Sequence, residues 1–589
     1  MSEYQYPQND IQFSLQSIAK LERLSPYLEE PLDSELLDAI LSEAGKLSEQ
    51  VIAPINASGD QQGSRVDQGE VYEADGFKEA FHTYRESGWL ALAGNPEFGG
   101  QGLPSSLATA VNEGVQAANL AFSLCPLLSQ GAIEAIESHA SEELKQCYIP
   151  KMLTGEWTGT MNLTEPAAGS DLAAIACKAT PGEDHFKIKG QKIFITWGDH
   201  QMSDNIVHLV LARLPDAPAG VKGISLFIVP KFLLDHNGQP AQRNDVQVVS
   251  VEHKMGIHAS PTCVMSFGDK AGAIGYLVGQ ANEGIKAMFT MMNNARQGVG
   301  LQGLGISERA YQQALSYAKE RKQGMNADRS GKAAIIEHAD VRRMLMMMKS
   351  QIDAMRSLIY LAAVENDLSH LASGEVQQAA IKRTALYTPI VKGWITEQAQ
   401  EITSLAIQIH GGMGFIEETG VAQHARDARI LPIYEGTNGI QAIDLIGRKL
   451  HFDKGEQMYF LLDEMEQELK NYGQEALQSN VAKLTSSIAV ARHATKNCLD
   501  IMQRDTNEGT GSAYAYMMMC GYVIGGWLQI RAQKLCLENQ QMGEEQKNSW
   551  LHSINFYCDH VLPRAHMHAQ TIASGQDSMA DLTTSSFER

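Results

Sequence analysis

Residues 186–196 have the sequence FKIKGQKIFIT, in which β-branched and aromatic residues alternate with lysines on either side of a Gly-Gln pair. This composition is typical of β-strands. Similar short apolar runs, separated by Gly, Pro, Asp and Asn, follow along the chain at Ile206–Leu211, Ile224–Val229 and Val246–Val249. The segment from about Thr158 to Gly279 is therefore predicted to form a sheet or a small barrel.

On both sides of this segment, apolar residues recur with the period of an α-helix. They mark one helical face from Asp33 to Pro54, where the proline is expected to end the helix, and the pattern continues to about Thr154. Helical patterning resumes near Glu283 and extends to about Ile572. We predict an α+β multidomain chain with an N-terminal extension and helical domain at 1–157, a β domain at 158–279, a helical bundle at 280–456 and an additional helical domain with a polar tail at 457–589.

Composition and charge exclude several classes of protein. The 589 residues are 44% apolar and 20% charged, which is typical of a globular chain. A net charge of −21 disfavours binding to phosphate backbones, so no nucleic-acid partner is expected. The eight cysteines include no Cys-x-x-Cys pair and fit reduced core thiols better than a disulfide framework or a metal site. Because the N-terminus has no leader pattern, we expect a soluble, cytoplasmic protein.

Two further patterns have structural rather than functional interpretations. Gly298–Gly303 matches G-x-G-x-x-G, but it follows a helical segment instead of a strand, so close helix packing is favoured over dinucleotide binding. The uncharged stretch Gly509–Ile530 has an apolar part, Ala513–Leu528, that is shorter than the roughly 20 residues needed to span a bilayer. We predict a buried helix there and no integral membrane segment.

Two glycine-containing loops are candidate ligand sites. Thr164–Asp171 consists mostly of small residues before the sheet and offers unhindered backbone N–H groups to a ring or a phosphate; it equally fits a turn between domains. Gln408–Phe415 places three glycines in an otherwise helical pattern, where each costs about 1 kcal/mol relative to alanine if it lies inside a helix. A helix end and a close approach to a ligand both fit.

A third loop contains a candidate general base. Glu435 follows the apolar run Ile430–Tyr434 and precedes Gly436–Gly439. A carboxylate beside an apolar wall has a raised pKa and can act as a base, and the adjacent glycine lets a substrate approach. A solvated loop glutamate is the alternative.

Taken together and in this order, these stretches resemble the acyl-CoA dehydrogenase family over about Asp33 to Leu450. The segments that carry the resemblance are Glu97–Pro104, Met161–Asp171, Phe194–Thr196, Glu252–Cys263, Glu320–Lys322, Glu337–His338, Gln408–Gly412 and Tyr434–Thr437. Pro432–Gln441 is most similar to a subgroup with a C-terminal extension, which includes 3-methylmercaptopropionyl-CoA dehydrogenases and broad-range bacterial enzymes. The resemblance implies an N-terminal helical domain, a β-barrel or sheet domain, a C-terminal four-helix bundle and one extra helical domain.

The resemblance also implies a reaction. An acyl-CoA thioester would lie between Glu435 and the flavin of FAD; Glu435 would remove the α-proton, and flavin N5 would accept the β-hydride to give a trans-2-enoyl-CoA. Electrons would pass to an electron-transferring flavoprotein. Ala295 occupies the place where some relatives carry their glutamate, which leaves Glu435 as the base.

The resemblance assigns further site residues one by one. The implied FAD contacts are Met161, Leu163, Thr164, Gly169, Ser170, Phe194, Thr196, Arg321, Gln408, Gly411, Gly412, Thr437 and Asn438. The implied substrate contacts are Ser170, Arg296, Tyr434 and Gly436. Arg321 and the Gln408–Gly412 segment match positions that reach the FAD of a neighbouring subunit, so a homo-oligomer is implied, a dimer or a dimer of dimers.

Three positions depart from the family pattern. Phe194 is often Trp in relatives, Ala339 stands where many have Gln, and His258 stands where Arg is frequent, which puts some contacts to FAD and CoA in doubt.

The extension from about Gln457 is expected to pack on the body and enlarge the subunit interface; capping of the CoA end or membrane contact is the alternative. An acyl-CoA oxidase and a non-catalytic, nucleic-acid-associated relative are the alternative functions.

Overall fold

The computed structural model describes residues 3–326, 328–575 and 582–588. The chain forms two compact units, one of residues 40–298 and the other of residues 1–39 together with 299–589. Residues 576–581 and 589 of the predicted polar tail lie outside the described residues.

The unit of residues 40–298 contains the predicted sheet. The strands are β1 (Arg65–Asp67), β2 (Glu70–Tyr72), β3 (Trp157–Asn162), β4 (Lys178–Pro181), β5 (Phe186–Thr196), β6 (Asn205–Arg213), β7 (Ile224–Pro230), β8 (Phe232–Leu234), β9 (Pro240–Arg243), β10 (Val246–Val251), β11 (Thr262–Phe267) and β12 (Ala273–Val278). The main sheet has the order β10-β11-β5-β12-β7-β6-β3, with β4 beside β5 and β6. The α+β prediction is confirmed.

The main sheet is largely antiparallel, with β3 parallel to β6. All seven residues of β7 are buried, which explains why its sequence is a continuous apolar run instead of an alternating one. At Gly159 of β3, an added Cβ would lie 2.5 Å from that of Ala132 on a neighbouring helix. Glycine therefore allows the helix to pack directly on the sheet.

The helices of this unit lie mostly before the sheet. They are α3 (Asn56–Gln62), α4 (Phe77–Glu86), α5 (Ser105–Ala118), α6 (Leu120–His139) and α7 (Glu142–Leu153), while α2 (Ser34–Leu47) and α8 (Gly284–Glu320) belong partly to each unit. The expectation that Pro54 ends the first long helix was wrong. Regular α2 stops at Leu47, and the helical path continues through a wider turn to Ala53–Ile55, where Pro54 lies in the first turn of a 3₁₀ segment. Proline is tolerated there because first-turn N–H groups have no intrahelical acceptor.

The second unit is mostly helical. Besides α1 (Gln8–Gln12) and the short strands β13 (Lys322–Met325) and β14 (Lys332–Ala334), it contains α9 (Ala339–Leu371), α10 (Gly374–His410), α11 (Val421–Ala428), α12 (Asn438–Asp444), α13 (Glu456–Lys470), α14 (Gln478–Arg504), α15 (Thr506–Gly511), α16 (Ala513–Glu538), α17 (Glu544–Phe556) and α18 (Arg564–Ala573). Only Ala372 and Ser373 separate α9 from α10, and the two long helices pack against each other.

Helix α16 is the predicted buried helix. It contacts α9, α10, α12, α14, α17 and α18, and nearly all of its residues are buried. Its small residues permit this packing, since an added Cβ at Gly521 would lie 2.1 Å from the ring of Trp394. None of the helices in the described part of the chain is long and apolar enough to cross a membrane.

The glycine motif in α8 also packs as predicted. An added Cβ at Gly300 would lie 2.5 Å from Val391, and one at Gly303 would lie 3.1 Å from Ile395. Both partners belong to α10, so the glycines allow α8 and α10 to approach closely. The structural interpretation of G-x-G-x-x-G is confirmed.

Substitution Gly521→Ala tests the packing of α16 on α10. We expect the free energy of unfolding to fall by about 1–3 kcal/mol, because the methyl group overlaps a buried indole ring. Denaturant unfolding measures the change. The control is Gly447→Ala, where an added Cβ meets nothing within 4 Å and stability should be unchanged or slightly increased. Equal stabilities of the two variants would contradict this account.

Candidate active site

The end of β3 and the loop after it carry five of the predicted FAD contacts, Met161, Leu163, Thr164, Gly169 and Ser170. Met161 lies in β3, and Leu163 and Thr164 follow it. The backbone N–H of Ile193 in β5 donates to the carbonyl of Thr164 at 2.9 Å, which ties the loop to that strand. Glu165 and Ala168 exchange two backbone hydrogen bonds, at 2.9 and 3.0 Å, and so close a tight turn.

A buried ion pair between Lys192 and Glu165 holds this turn in place. The Nζ of Lys192 lies 2.7 Å from a carboxylate oxygen of Glu165 and donates to the carbonyl of Leu163 at 2.9 Å. The Glu165 carboxylate also accepts the backbone N–H groups of Ala176 and Cys177, at 2.7 and 3.1 Å. Burial lowers the pKa of Lys192, so the ammonium depends on these partners. The loop is therefore held by a charge pair whose hydrogen bonds are satisfied.

The exposed residues of this region form a surface suited to a flat ring. Phe194 is 58% exposed although it belongs to β5, and its φ of +60° lies in the left-handed region, where non-glycine residues are strained. Gly169 and Ser170 are exposed on the loop, and an added Cβ at Gly169 would meet nothing within 4 Å. Thr196 is half-buried at the end of β5. An exposed aromatic side chain and accessible backbone are features that the predicted planar ligand requires.

Two further predicted positions belong to the same unit. Arg296 is buried on α8, and one of its guanidinium nitrogens donates to the side-chain oxygen of Asn293 at 3.4 Å. His258, which replaces the arginine frequent in the family, places Nδ1 3.0 Å from the Asp60 carboxylate. The histidine therefore has a structural partner of its own.

In the second unit, Glu435 lies in the loop between α11 and α12. It is half-buried, and its φ of +55° is left-handed, as is that of Gly436 at +84°. The loop is closed by a hydrogen bond of 2.9 Å from the backbone N–H of Asn438 to the carbonyl of Pro432. Such strain persists only where surrounding contacts over-determine the backbone, and it is common in active sites.

Side chains of neighbouring helices hold both sides of Glu435. The hydroxyl of Tyr434 donates to the side-chain oxygen of Gln302 on α8, and burial, reinforced by the charge of Glu435, raises the pKa of Tyr434. The amide of Gln441 in α12 donates to the carbonyls of Glu435 and Gly436, both at 3.4 Å. Sequence reasoning missed Gln302 and Gln441, because a polar residue in a helix gives no signal of its spatial neighbour.

Thr437 and Asn438 make internal contacts that their predicted roles did not include. The hydroxyl of Thr437 caps α12 by accepting the N–H of Ile440 at 3.3 Å. Asn438 is buried, and its amide oxygen accepts from Lys392 of α10 at 2.8 Å. No local sequence pattern indicates Lys392, which precedes Asn438 by 46 residues.

The remaining predicted positions lie at the ends of long helices. Gln408, Gly411 and Gly412 are exposed where α10 ends, and Gly411 has a φ of +60°. This is the predicted helix end, and its backbone is open, since an added Cβ at either Gly411 or Gly412 would meet nothing within 4 Å. Arg321 is exposed immediately after α8, and Ala339 is the first residue of α9.

Comparison with known families covers most of the chain. Residues 34–156 match the model described as the N-terminal domain of acyl-CoA dehydrogenase, residues 160–270 its middle domain and residues 282–451 its C-terminal domain. Residues 461–583 match a model described as acetyl-CoA dehydrogenase C-terminal like. The extension beyond Gln457 thus has a family model of its own.

Individual relatives agree with these matches. A 3-methylmercaptopropionyl-CoA dehydrogenase of Ruegeria pomeroyi is 45% identical over 89% of this chain and 90% of its own length. A broad-specificity linear acyl-CoA dehydrogenase of Mycobacterium tuberculosis, FadE5, is 33% identical over 90% of each chain. The structure of an acyl-CoA dehydrogenase of Bacillus anthracis complexed with FAD has a TM-score of 0.74 at 22% identity, covering 93% of this chain and 89% of that one.

Substitution Lys192→Met tests the ion pair under the β3 loop. We expect the free energy of unfolding to fall by about 3–5 kcal/mol, because the Glu165 carboxylate is left buried without its counter-charge. Adding Glu165→Gln should recover part of the loss by removing that charge. Denaturant unfolding measures both variants. As a control, Lys46→Met removes an exposed pair with Glu43 and should cost less than about 1 kcal/mol.

Proposed function

This chain belongs to the acyl-CoA dehydrogenase family, and we propose that it converts acyl-CoA thioesters to trans-2-enoyl-CoA with Glu435 as general base and FAD as cofactor. The resemblance found in the sequence is confirmed by the family models and by the relative that is 45% identical. The single observation that carries the catalytic assignment is Glu435 itself, a half-buried carboxylate on a left-handed backbone that neighbouring helices hold in place.

The surroundings of Glu435 suit proton abstraction. An α-proton of a thioester is weakly acidic, so the base must be close to it and shielded from water. Tyr434 stays a neutral phenol because burial raises its pKa, and its hydrogen bond to Gln302 fixes the residue that precedes the base. Gly436 leaves the other side of the base unobstructed by a side chain. Negative charge that develops on the thioester oxygen needs a hydrogen-bond donor, which the resemblance assigns to the backbone N–H of Glu435.

The residues of the other unit fit FAD. Phe194 offers an exposed aromatic face, and the loop of Thr164, Gly169 and Ser170 offers backbone and hydroxyl groups beside it. The Lys192–Glu165 pair keeps that loop in one conformation. FAD, when bound, supplies the acceptor for the hydride from the β-carbon. The remaining predicted FAD contacts stay predictions, as do the substrate contacts of Ser170, Arg296, Tyr434 and Gly436.

The acyl group is the least constrained part of the proposal. One relative is named for 3-methylmercaptopropionyl-CoA and another for broad specificity on linear acyl-CoAs. Both this thioether acyl group and linear acyl chains are therefore candidates. Titration of the yellow holoenzyme with C4 to C16 acyl-CoAs and with methylthiopropanoyl-CoA, following loss of flavin absorbance, identifies the preferred substrate. The homo-oligomer built through Arg321 and Gln408–Gly412, and the cytoplasmic location, also stay predictions.

Substitution Glu435→Gln tests the base. We expect bound FAD to be retained and turnover to fall at least a thousandfold, because the neutral amide keeps the shape of the carboxylate but accepts no proton. Stopped-flow bleaching of flavin by acyl-CoA measures the effect. Glu417→Gln is the control, since this exposed glutamate pairs with Arg426 on the same unit and should leave bleaching unchanged. Near-normal bleaching by the Glu435 variant would refute the assignment.

The electron acceptor requires a separate test. We propose that the acceptor is an electron-transferring flavoprotein, because the relatives described above are named as dehydrogenases and not as oxidases. The expected result is that enoyl-CoA formation under steady state depends on added electron-transferring flavoprotein and yields little hydrogen peroxide. Peroxide formed in equal amount with enoyl-CoA would show that the enzyme is an acyl-CoA oxidase instead.

A further inference from the structure

The strained backbone at Glu435 needs an anchor on each side, and Asn438 is an anchor three residues after it. This residue begins α12, is only 4% exposed, and closes the loop through its backbone bond to Pro432. Its side chain points into α10, where Lys392, Thr396 and the backbone of Gly393 surround it. The loop of the base is therefore attached to a long, buried helix through one amide group.

The oxygen and the nitrogen of the Asn438 amide each face hydrogen-bond partners of the right kind. Its oxygen accepts from the ammonium of Lys392 at 2.8 Å. Its nitrogen donates to the carboxylate of Glu397 at 2.8 Å, to the Thr396 hydroxyl at 2.9 Å and to the carbonyl of Gly393 at 3.2 Å. The asparagine thus lies with its oxygen toward a buried cation and its nitrogen toward an anion, which fixes its orientation.

The turn of α10 that supplies these partners is itself fixed by α16 of the C-terminal extension. An added Cβ at Gly393 would lie 2.2 Å from the sulfur of Met517, and the amide of Gln398 exchanges hydrogen bonds with the hydroxyl of Tyr522, at 2.9 and 3.1 Å. The partners of Asn438 consequently have little freedom to move. Rigid support for a loop is what a strained residue requires.

We propose that Lys392, Asn438 and Glu397 form a clamp that positions the Glu435 carboxylate for proton abstraction. These three are positioning residues, because they act on the loop and not on substrate. The clamp also gives the side chain of Asn438 a role other than contact with FAD, because its oxygen accepts from Lys392 and its nitrogen donates to Glu397 inside the helical unit. The inference rests on the proposed role of Glu435.

Substitution Asn438→Asp tests the clamp with almost no change of shape. It keeps an oxygen for Lys392 but turns a second oxygen toward the Glu397 carboxylate, which repels it. We expect the rate at which the holoenzyme exchanges the α-protons of 3-thiaoctanoyl-CoA for solvent deuterium to fall at least tenfold. This analogue has sulfur at the β position and so has no β-hydride to lose, and mass spectrometry then reports proton transfer alone. FAD content and flavin absorption maxima should be unchanged.

Two further variants separate positioning from general damage. Adding Glu397→Gln to Asn438→Asp supplies a donor in place of the repelling carboxylate and should restore exchange at least threefold. Asn480→Asp is the matched control: this buried asparagine of α14 also accepts from a lysine, Lys483 at 3.4 Å, and donates to two amide oxygens. It should lower the unfolding temperature by a similar amount and leave exchange unchanged.

Four outcomes would overturn the clamp. They are normal exchange in Asn438→Asp, equal loss of exchange in Asn480→Asp, failure of Glu397→Gln to restore any exchange, and a shift of the flavin spectrum in Asn438→Asp, which would return Asn438 to FAD. If the aspartate variant does not fold, Lys392→Met removes the other end of the clamp and is expected to give the same tenfold loss. Exchange that persists in Glu435→Gln would instead refute the proposed base and leave the contacts of the clamp intact.

Discussion

A carboxylate that removes a proton from a weakly acidic carbon must be held in place before the substrate arrives, because any search for the right geometry adds to the barrier. The base proposed for this chain, Glu435, has a left-handed backbone, which is a conformation that glutamate does not prefer. The rest of the helical unit can be understood from this constraint. The cost of holding Glu435 there is offset by Tyr434 against α8, by Gln441 of α12 and by Asn438 against α10.

Each unit contains a buried lysine that holds a loop with predicted ligand-binding or catalytic residues. In the β unit, Lys192 binds Glu165 and the carbonyl of Leu163, and these bonds hold the loop that contains Thr164. In the helical unit, Lys392 binds an amide instead of a carboxylate. A buried ammonium loses much of its hydration, so it remains favourable only where its partners are well placed. The dependence also works in the other direction: a loop that provides those partners is confined to one conformation.

The C-terminal extension contributes to the interior of the helical unit. Helix α16 is buried among six other helices and packs Gly521 against Trp394 of α10. Met517, one turn before Gly521 in α16, fills the space left by Gly393 of α10, next to the partners of Asn438. Removal of the extension would therefore expose apolar surface on α10, the helix that supports the loop of Glu435. This agrees with the prediction that the extension packs on the body.

The sequence alone determined the order of helices and strands and the buried character of α16, and it predicted Glu435 as the base. It could do so because periodicity, β-branched runs and the motif around Glu435 are local along the chain. It failed at Pro54, where a proline expected to stop the helix lies in a turn that needs no N–H at that position. Only the tertiary structure revealed Gln302, Lys392 and Glu397, since each lies tens of residues or more from the loop it supports. A hydrogen bond between distant residues depends on how helices pack, and no local pattern encodes that distance.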